Sequence, residues 1–170
     1  NKINETYFGS SSLVINKFSG NNILIGNVNL NIESNEGLDY YEMNMNVEKE
    51  NNITLDLRGK FEIEDSDFPI DLELKSKNFD ISPFSAIGED VLKNIEGLFN
   101  SNIEISGTLK KPELKGFIQT NKSSFDVPYL GIGFNFLDNP KFIIDDYDII
   151  IEKFNIEDKD LKTVGIMDGK

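Results

Sequence analysis

The chain contains no cysteine, no histidine and no tryptophan. Without cysteine and histidine there is no Cys–His or Ser–His–Asp nucleophile system and no Cys/His zinc site. The missing cysteine fixes no compartment, because a disulfide-free chain suits the cytosol and equally a periplasm where no bridge is needed. No signal peptide is recognisable, and no apolar run is long enough to span a bilayer. Positive charge is in deficit: 17 Lys and Arg against 30 Asp and Glu give a net charge of −13. Such a surface repels nucleic-acid phosphates and gains nothing by charge from an anionic membrane. Lipid contact, if any, must come from apolar surface.

What is present is enough for one domain with a sizeable core. The chain has 170 residues, 38% of them hydrophobic, with thirteen Phe and five Tyr supplying large apolar area. It lacks an initiator Met and begins and ends in strand-like or loop-like text, so a segment of a longer protein is expected.

Alternation dominates the first part. Over 22–33, Leu24, Gly26, Val28, Leu30 and Ile32 fall on one face, and Asn27, Asn29, Asn31 and Glu33 on the other. Over 40–48, Tyr41, Met43, Met45 and Val47 oppose Glu42, Asn44, Asn46 and Glu48. Over 52–64, Ile53, Leu55, Leu57, Gly59, Phe61 and Ile63 oppose polar partners, and over 69–77 so do Ile70, Leu72 and Leu74. Successive strand side chains point to opposite faces, so each stretch is a half-buried strand, and turn-like text separates them. Further on, Ile103, Ile105, Gly107 and Leu109 form one row, and Leu114, Gly116 and Ile118 another after a Lys110-Lys111-Pro112 turn. Shorter strands are expected at 124–127, 132–137, 141–144, 148–155 and 161–166. The expectation is a mainly β, antiparallel meander in one unit, 1–170: first strands over 1–78, a helix over 80–97, later strands over 98–170.

The helix rests on Ser82 as N-cap, Pro83 at the first position, Phe84, Ile87, Val91 and Ile95 at helical spacing, and Gly97 as a stop. Its polar positions, Glu89, Asp90, Lys93, Asn94 and Glu96, are not Lys/Arg-rich. It reads as a short amphipathic cap on an apolar groove rather than as a membrane-surface helix. Gly26, Gly59, Gly107 and Gly116 each lie in phase with an apolar row. Glycine inside a strand marks a bend or a close backbone approach. Four on one face suggest a sheet curled toward that face, with loose packing against another layer as the other reading.

Catalytic chemistry finds little support. Glu62 with Glu64, and Asp71 with Glu73, alternate with apolar residues as a solvated strand face does, with no pocket to raise a carboxyl pKa. The acidic runs 145–148 and 157–160 lack the twelve-residue calcium-loop spacing. Gly131 and Gly133 lack the third glycine and following helix of a phosphate loop, and Arg58, the single arginine, reads as a surface charge. No catalytic residue, metal or cofactor is assigned.

The stretch IEISGTLKKPELKGFIQT, Ile103–Thr120, resembles the recurring strand, Gly-Thr-Leu, Pro, Gly-containing-strand text of the TamB and AsmA-like family. The preceding SPF…VLKNIEG and the tail FIIDDYDIIIEKFNIEDKDLKTVGIMDGK are similar to that family's order of elements. The likeness covers about Phe79–Lys170 and is textural before that. It implies a periplasmic protein attached to the inner membrane through an anchor outside this segment. It implies a long β-sheet folded lengthwise into an open taco or half-pipe with an apolar interior. It further implies a path for phospholipid acyl chains between membranes, and an Omp85-family outer-membrane barrel as partner. No enzyme activity, cofactor or nucleic acid is implied.

On this reading the groove is lined by Leu24, Val28, Leu30, Ile32, Met43, Met45, Val47, Ile53, Leu55, Leu57, Phe61, Ile63, Ile70, Leu72, Leu74, Ile103, Ile105, Leu109, Leu114 and Ile118, with the four in-phase glycines curling it. Two alternatives stay open: a closed β-sandwich binding or adhesin-like module, and a chaperone whose sheet edge pairs with an outer-membrane protein strand.

Overall fold

The computed structural model describes residues 9–35, 39–62, 67–85 and 92–170. Its strands are β1 (Ser10–Gly20), β2 (Ile23–Ser34), β3 (Tyr41–Lys49), β4 (Asn52–Phe61), β5 (Ile70–Asp80), β6 (Lys93–Thr108), β7 (Lys111–Val127), β8 (Ile132–Phe136), β9 (Lys141–Asp145), β10 (Asp148–Asp158) and β11 (Val164–Gly169). All eleven pair antiparallel into one sheet in chain order. The meander expected from alternation is therefore the architecture, and the strands are not divided between two sheets as in a sandwich.

Two strands share one position. Both β8 and β9 pair with β7 on one side and with β10 on the other. Val127↔Ile132 and Ser124↔Asn135 hold one register, and Gln119↔Lys141 and Lys115↔Asp145 hold a register one residue displaced. So 132–145 acts as a single strand with a bulge at 137–140. Proline there cannot donate to a ladder, but the Pro140 carbonyl still accepts from Thr120 N–H at 3.0 Å, which keeps the two halves on the same neighbour.

Where a helix is expected over 80–97, the described residues hold only a 3-10 turn, Ser82–Phe84, and then strand. Residues 86–91, including Ile87 and Val91 of the expected apolar stripe and the polar Glu89 and Asp90, lie outside the described residues. Lys93 pairs with Asp126, and Leu98 with Asn121, so the backbone from Lys93 onward is committed to β7. That ladder overrides a four-point helical spacing, which is a weak local preference. Gly97, at φ 140°, is mid-strand rather than a helix stop. Ile81, not Ser82, is the N-cap: Ser82 is the first residue of the 3-10 turn and Pro83 the second, and Ser82 N–H donates to the Asp80 carboxylate at 3.0 Å.

This turn touches β1, β2 and β6. Pro83 is buried, Asn21 Nδ2 donates to Ser85 Oγ at 3.3 Å, and Phe84 meets Phe79 with ring centroids 6.0 Å apart. The segment after β5 thus closes against the β1–β2 hairpin at one end of the strands. No helix among the described residues is long and apolar enough to cross a membrane.

Candidate functional site

Cross-strand partners point to the same face of a sheet, so the pairing register states which residues share a face. One row runs Leu13, Leu30, Met45, Leu57, Leu74, Ile103, Gly116, Ile144 and Ile149. A second runs Ile15, Val28, Val47, Leu55, Ser76, Ser101, Ile118, Phe142 and Ile151. A third runs Ile32, Met43, Gly59, Leu72, Ile105 and Leu114, flanked by Tyr41, Phe61 and Ile70. No charged residue interrupts these rows. Ser76 and Ser101, the polar pair in the second, hydrogen bond to each other at 2.9 Å and so present no free charge or dipole.

The opposite face carries the charge. Its rows read Asn29, Asn46, Asp56, Lys75, Asn102, then Asn31, Asn44, Arg58, Glu73, Glu104, Lys115. Local ion pairs organise it: Arg58–Asp56 at 2.8 Å and Lys75–Glu73 at 2.6 Å. The Asp56 hydrogen bond and charge raise the Arg58 pKa further. The paired carboxylates Asp71 and Glu73 are both taken up this way, since Lys60 sits 3.9 Å from Asp71. Glu64 lies outside the described residues.

Most of the apolar rows are half-buried. Among the described residues, prolines apart, the buried aliphatic and aromatic side chains are Ile25, Val47, Ile103 and Phe154. A sandwich of this length would bury its inner rows far more completely.

Not every expected groove residue joins the rows. Leu24 is 45% exposed while its neighbour Ile25 is buried, because the alternation changes phase at a bulge opposite Phe18. Ile53 is 51% exposed, beyond a bulge that leaves Thr54 unpaired opposite Val47 and Glu48. Leu109 is 68% exposed in the β6–β7 turn, where alternation no longer applies. Ile63 lies outside the described residues. The glycines divide likewise. Gly26, Gly59 and Gly116 sit mid-strand at φ 145–150°, and a Cβ on any of them would meet the backbone of the neighbouring strand. Gly107, at φ 83°, is the next-to-last residue of β6, paired with Pro112, and a Cβ there would come within 2.8 Å of the Lys111 carbonyl oxygen of β7.

The later strands contribute a cavity that the expected residue set misses apart from Ile118. It measures about 540 Å³, and the surface it exposes is apolar, with Glu96, Thr120, Ser123 and Ser124 at its border contributing no polar area. Ile81, Ile95 and Phe99 line one side, Phe136, Phe142 and Ile144 another, and Met167 of β11 closes it. The volume falls within the range of small-molecule sites, roughly 300–1,000 Å³. Its aromatic wall is continuous: Phe136 lies 5.4 Å from Phe125, 6.3 Å from Phe142 and 5.0 Å from Phe154, centroid to centroid. The Phe134-Asn135-Phe136 alternation was the available sequence signal.

The acidic runs are turn chemistry. Asp145 and Asp148 close the β9–β10 hairpin, and Asp148 pairs with Lys170 at 2.9 Å, which raises the lysine pKa. Asp158 Oδ1 accepts from the backbone N–H groups of Asp160 and Leu161. Beside it, Asp126 accepts from Lys159 Nζ at 2.7 Å and Asn94 Nδ2 at 2.6 Å, and these bonds hold its carboxyl below the usual carboxylate range. Asp126 thereby ties β6, β7 and the β10–β11 turn together. The chain matches no family model, no curated protein and no solved structure.

Proposed function

We propose that this chain is a non-enzymatic conduit segment that carries phospholipid acyl chains along the apolar face of its sheet, in the manner of the TamB and AsmA-like family. The carrying observation is the uncharged register: residues from β1 to β10 align into rows perpendicular to the strands. Eleven strands, with β8 and β9 sharing a place, give ten positions. At about 4.8 Å per strand that is a path of roughly 40 Å. Each CH₂ removed from water contributes about 0.8 kcal/mol, so an acyl chain is held by area alone. A lining without fixed polar partners lets the chain slide, because no single strong contact must break.

The open taco form belongs to this proposal. It is supported by the three mid-strand glycines, whose neighbours approach too closely for a side chain, and by the shared cavity of β6 and β11. A periplasmic location, an inner-membrane anchor and an Omp85-family barrel as partner come with the family resemblance.

The test is native mass spectrometry of the protein with palmitoyl-oleoyl-phosphatidylethanolamine. Bound lipid is expected in the wild type and in Arg58→Asp, and its loss in Leu57→Asp. Absence of lipid from wild-type protein with intact β circular dichroism would overturn the reading.

A further inference from the structure

We propose that the open edge of β1 is a dimer interface, on which a second copy of this chain pairs antiparallel about a two-fold axis through Val14 and joins the two sheets edge to edge. Dimerisation of this kind is independent of lipid carriage and is read without lipid.

Among the described residues no strand pairs with the outer side of β1. Leu13, Val14 and Ile15 are 50%, 60% and 37% exposed. Ser34 N–H donates to Gly9 O at 2.8 Å, so the odd-numbered residues turn their backbone groups toward β2. Alternation along an antiparallel ladder then turns those of Ser10, Ser12 and Val14 outward. Edge groups of this kind template a further strand unless charge, shortness or a bulge blunts them. The other edge is blunted, since β11 has six residues and carries Asp168. In β1 the one charge is Lys17, at a bulge where φ is 55° and the N–H turns back to Asn27 Oδ1 at 2.9 Å. Residues 10–16, ahead of it, are strand without a charge.

A second copy fits this edge in face, register and charge. With the axis at Val14, Val14 faces the partner's Val14 and Ser12 the partner's Asn16, in hydrogen-bonded positions. Leu13 then faces the partner's Ile15 in the narrow position where side chains approach most closely. A register centred on a residue pairs like faces, so the apolar rows through Leu13 and Ile15 run on into the partner's. Each copy carries a net charge of −13, so copies repel except where charge is absent. On the other face, the row behind Val14 continues with Asn29 and Asn46, and the row behind Ser12 with Asn31 and Asn44. The first charged residues in these rows, Asp56 and Arg58, belong to β4. Three strand spacings, about 14 Å, exceed the Debye length of about 8 Å at physiological salt. A two-fold contact also closes on itself, whereas β1 set on the β11 of a next copy would build an open fibre.

Sedimentation velocity of the 170-residue protein over a concentration series tests the interface. Wild type is expected to pass from monomer to dimer and no further. Val14→Lys sets two ammonium groups face to face and is expected to raise the dissociation constant by about tenfold or more. Val164→Lys, at an exposed residue of β11, is expected to leave it unchanged. The chain has no cysteine, so a single introduced one reports the register. Val14→Cys is expected to form an intermolecular disulfide on mild oxidation. Ser12→Cys is expected not to, because four residues, about 14 Å, separate it from its symmetry mate. Folded wild-type protein that stays monomeric throughout, a dimer indifferent to Val14→Lys, or an unlimited assembly broken by Val164→Lys would overturn the interface. Equal cross-linking at both cysteines would overturn the axis at Val14.

Discussion

Gly59 lies in the middle of β4 at φ 150°, with Met43 on one side and Leu72 on the other. A Cβ at this position would press against the Asp71 carbonyl oxygen and come within 2.7 Å of Leu72 Cα, both backbone atoms of β5. Gly59→Ala therefore carries two costs. An alanine held in that backbone region costs about 1–3 kcal/mol. The contact cannot be relieved by a rotamer change, so β5 must shift, and overpacking of this kind costs about 1–3 kcal/mol. Together they come to about 2–6 kcal/mol, which at the midpoint is roughly 10 °C in Tm for a chain of this size. Gly131→Ala is the control. Its φ is 63°, and nothing lies within 4 Å of the added methyl, so it carries only the left-handed penalty of about 1–2 kcal/mol. Thermal unfolding followed by circular dichroism compares the two. Equal shifts, or a Gly59→Ala shift under about 3 °C, would refute the claim that close strand approach is built into the sheet.

Other outcomes follow from the same geometry. Because its hydrogen bonds depress the native Asp126 pKa, Asp126 contributes stability that is complete above its ordinary value and is lost as pH falls through the depressed one. Asp126→Asn should remove that acid-limb contribution in a urea series at several pH values, with a loss of about 1 kcal/mol at pH 7 for a partly exposed pair. Phe136→Ala should cost about 3 kcal/mol, since three rings pack on it and none can close the gap alone, and a urea midpoint measures this. Val14→Lys, on the exposed edge strand β1 where Leu13 and Ile15 are also exposed, should leave stability within about 0.5 kcal/mol. It should also reduce self-association in light scattering, because a lysine blunts an open edge.

How far the sequence spoke depends on the strand. From β2 to β5, alternation of apolar with polar residues left one possible face, and the pairing register follows it except at the bulges. Legibility ended where alternation ended. The run Leu13-Val14-Ile15 hides β1, because an edge strand needs no single buried face. The bulges beside Gly26 and Thr54 change phase without any marker in composition, which misplaced Leu24 and Ile53. Near Ile95, spacing suggested a helix, yet the partner strand Ser123–Asp126 was available to pair, and long-range ladders are invisible in a local window. The aromatic cavity escaped for a related reason: Phe99, Phe125, Phe136 and Phe142 come from four strands that only the register brings together.

The central claim is that acyl chains lie against the uncharged rows and nowhere else on the sheet. Adjacent residues of β4 test it most directly, because Leu57 and Arg58 share a strand and point to opposite faces. A photoreactive residue at each position in turn, in cells carrying labelled phospholipid, reads which face the lipid touches. The account predicts lipid adducts at Leu57 and none at Arg58. Adducts at both positions alike, or at neither in folded protein, would contradict it.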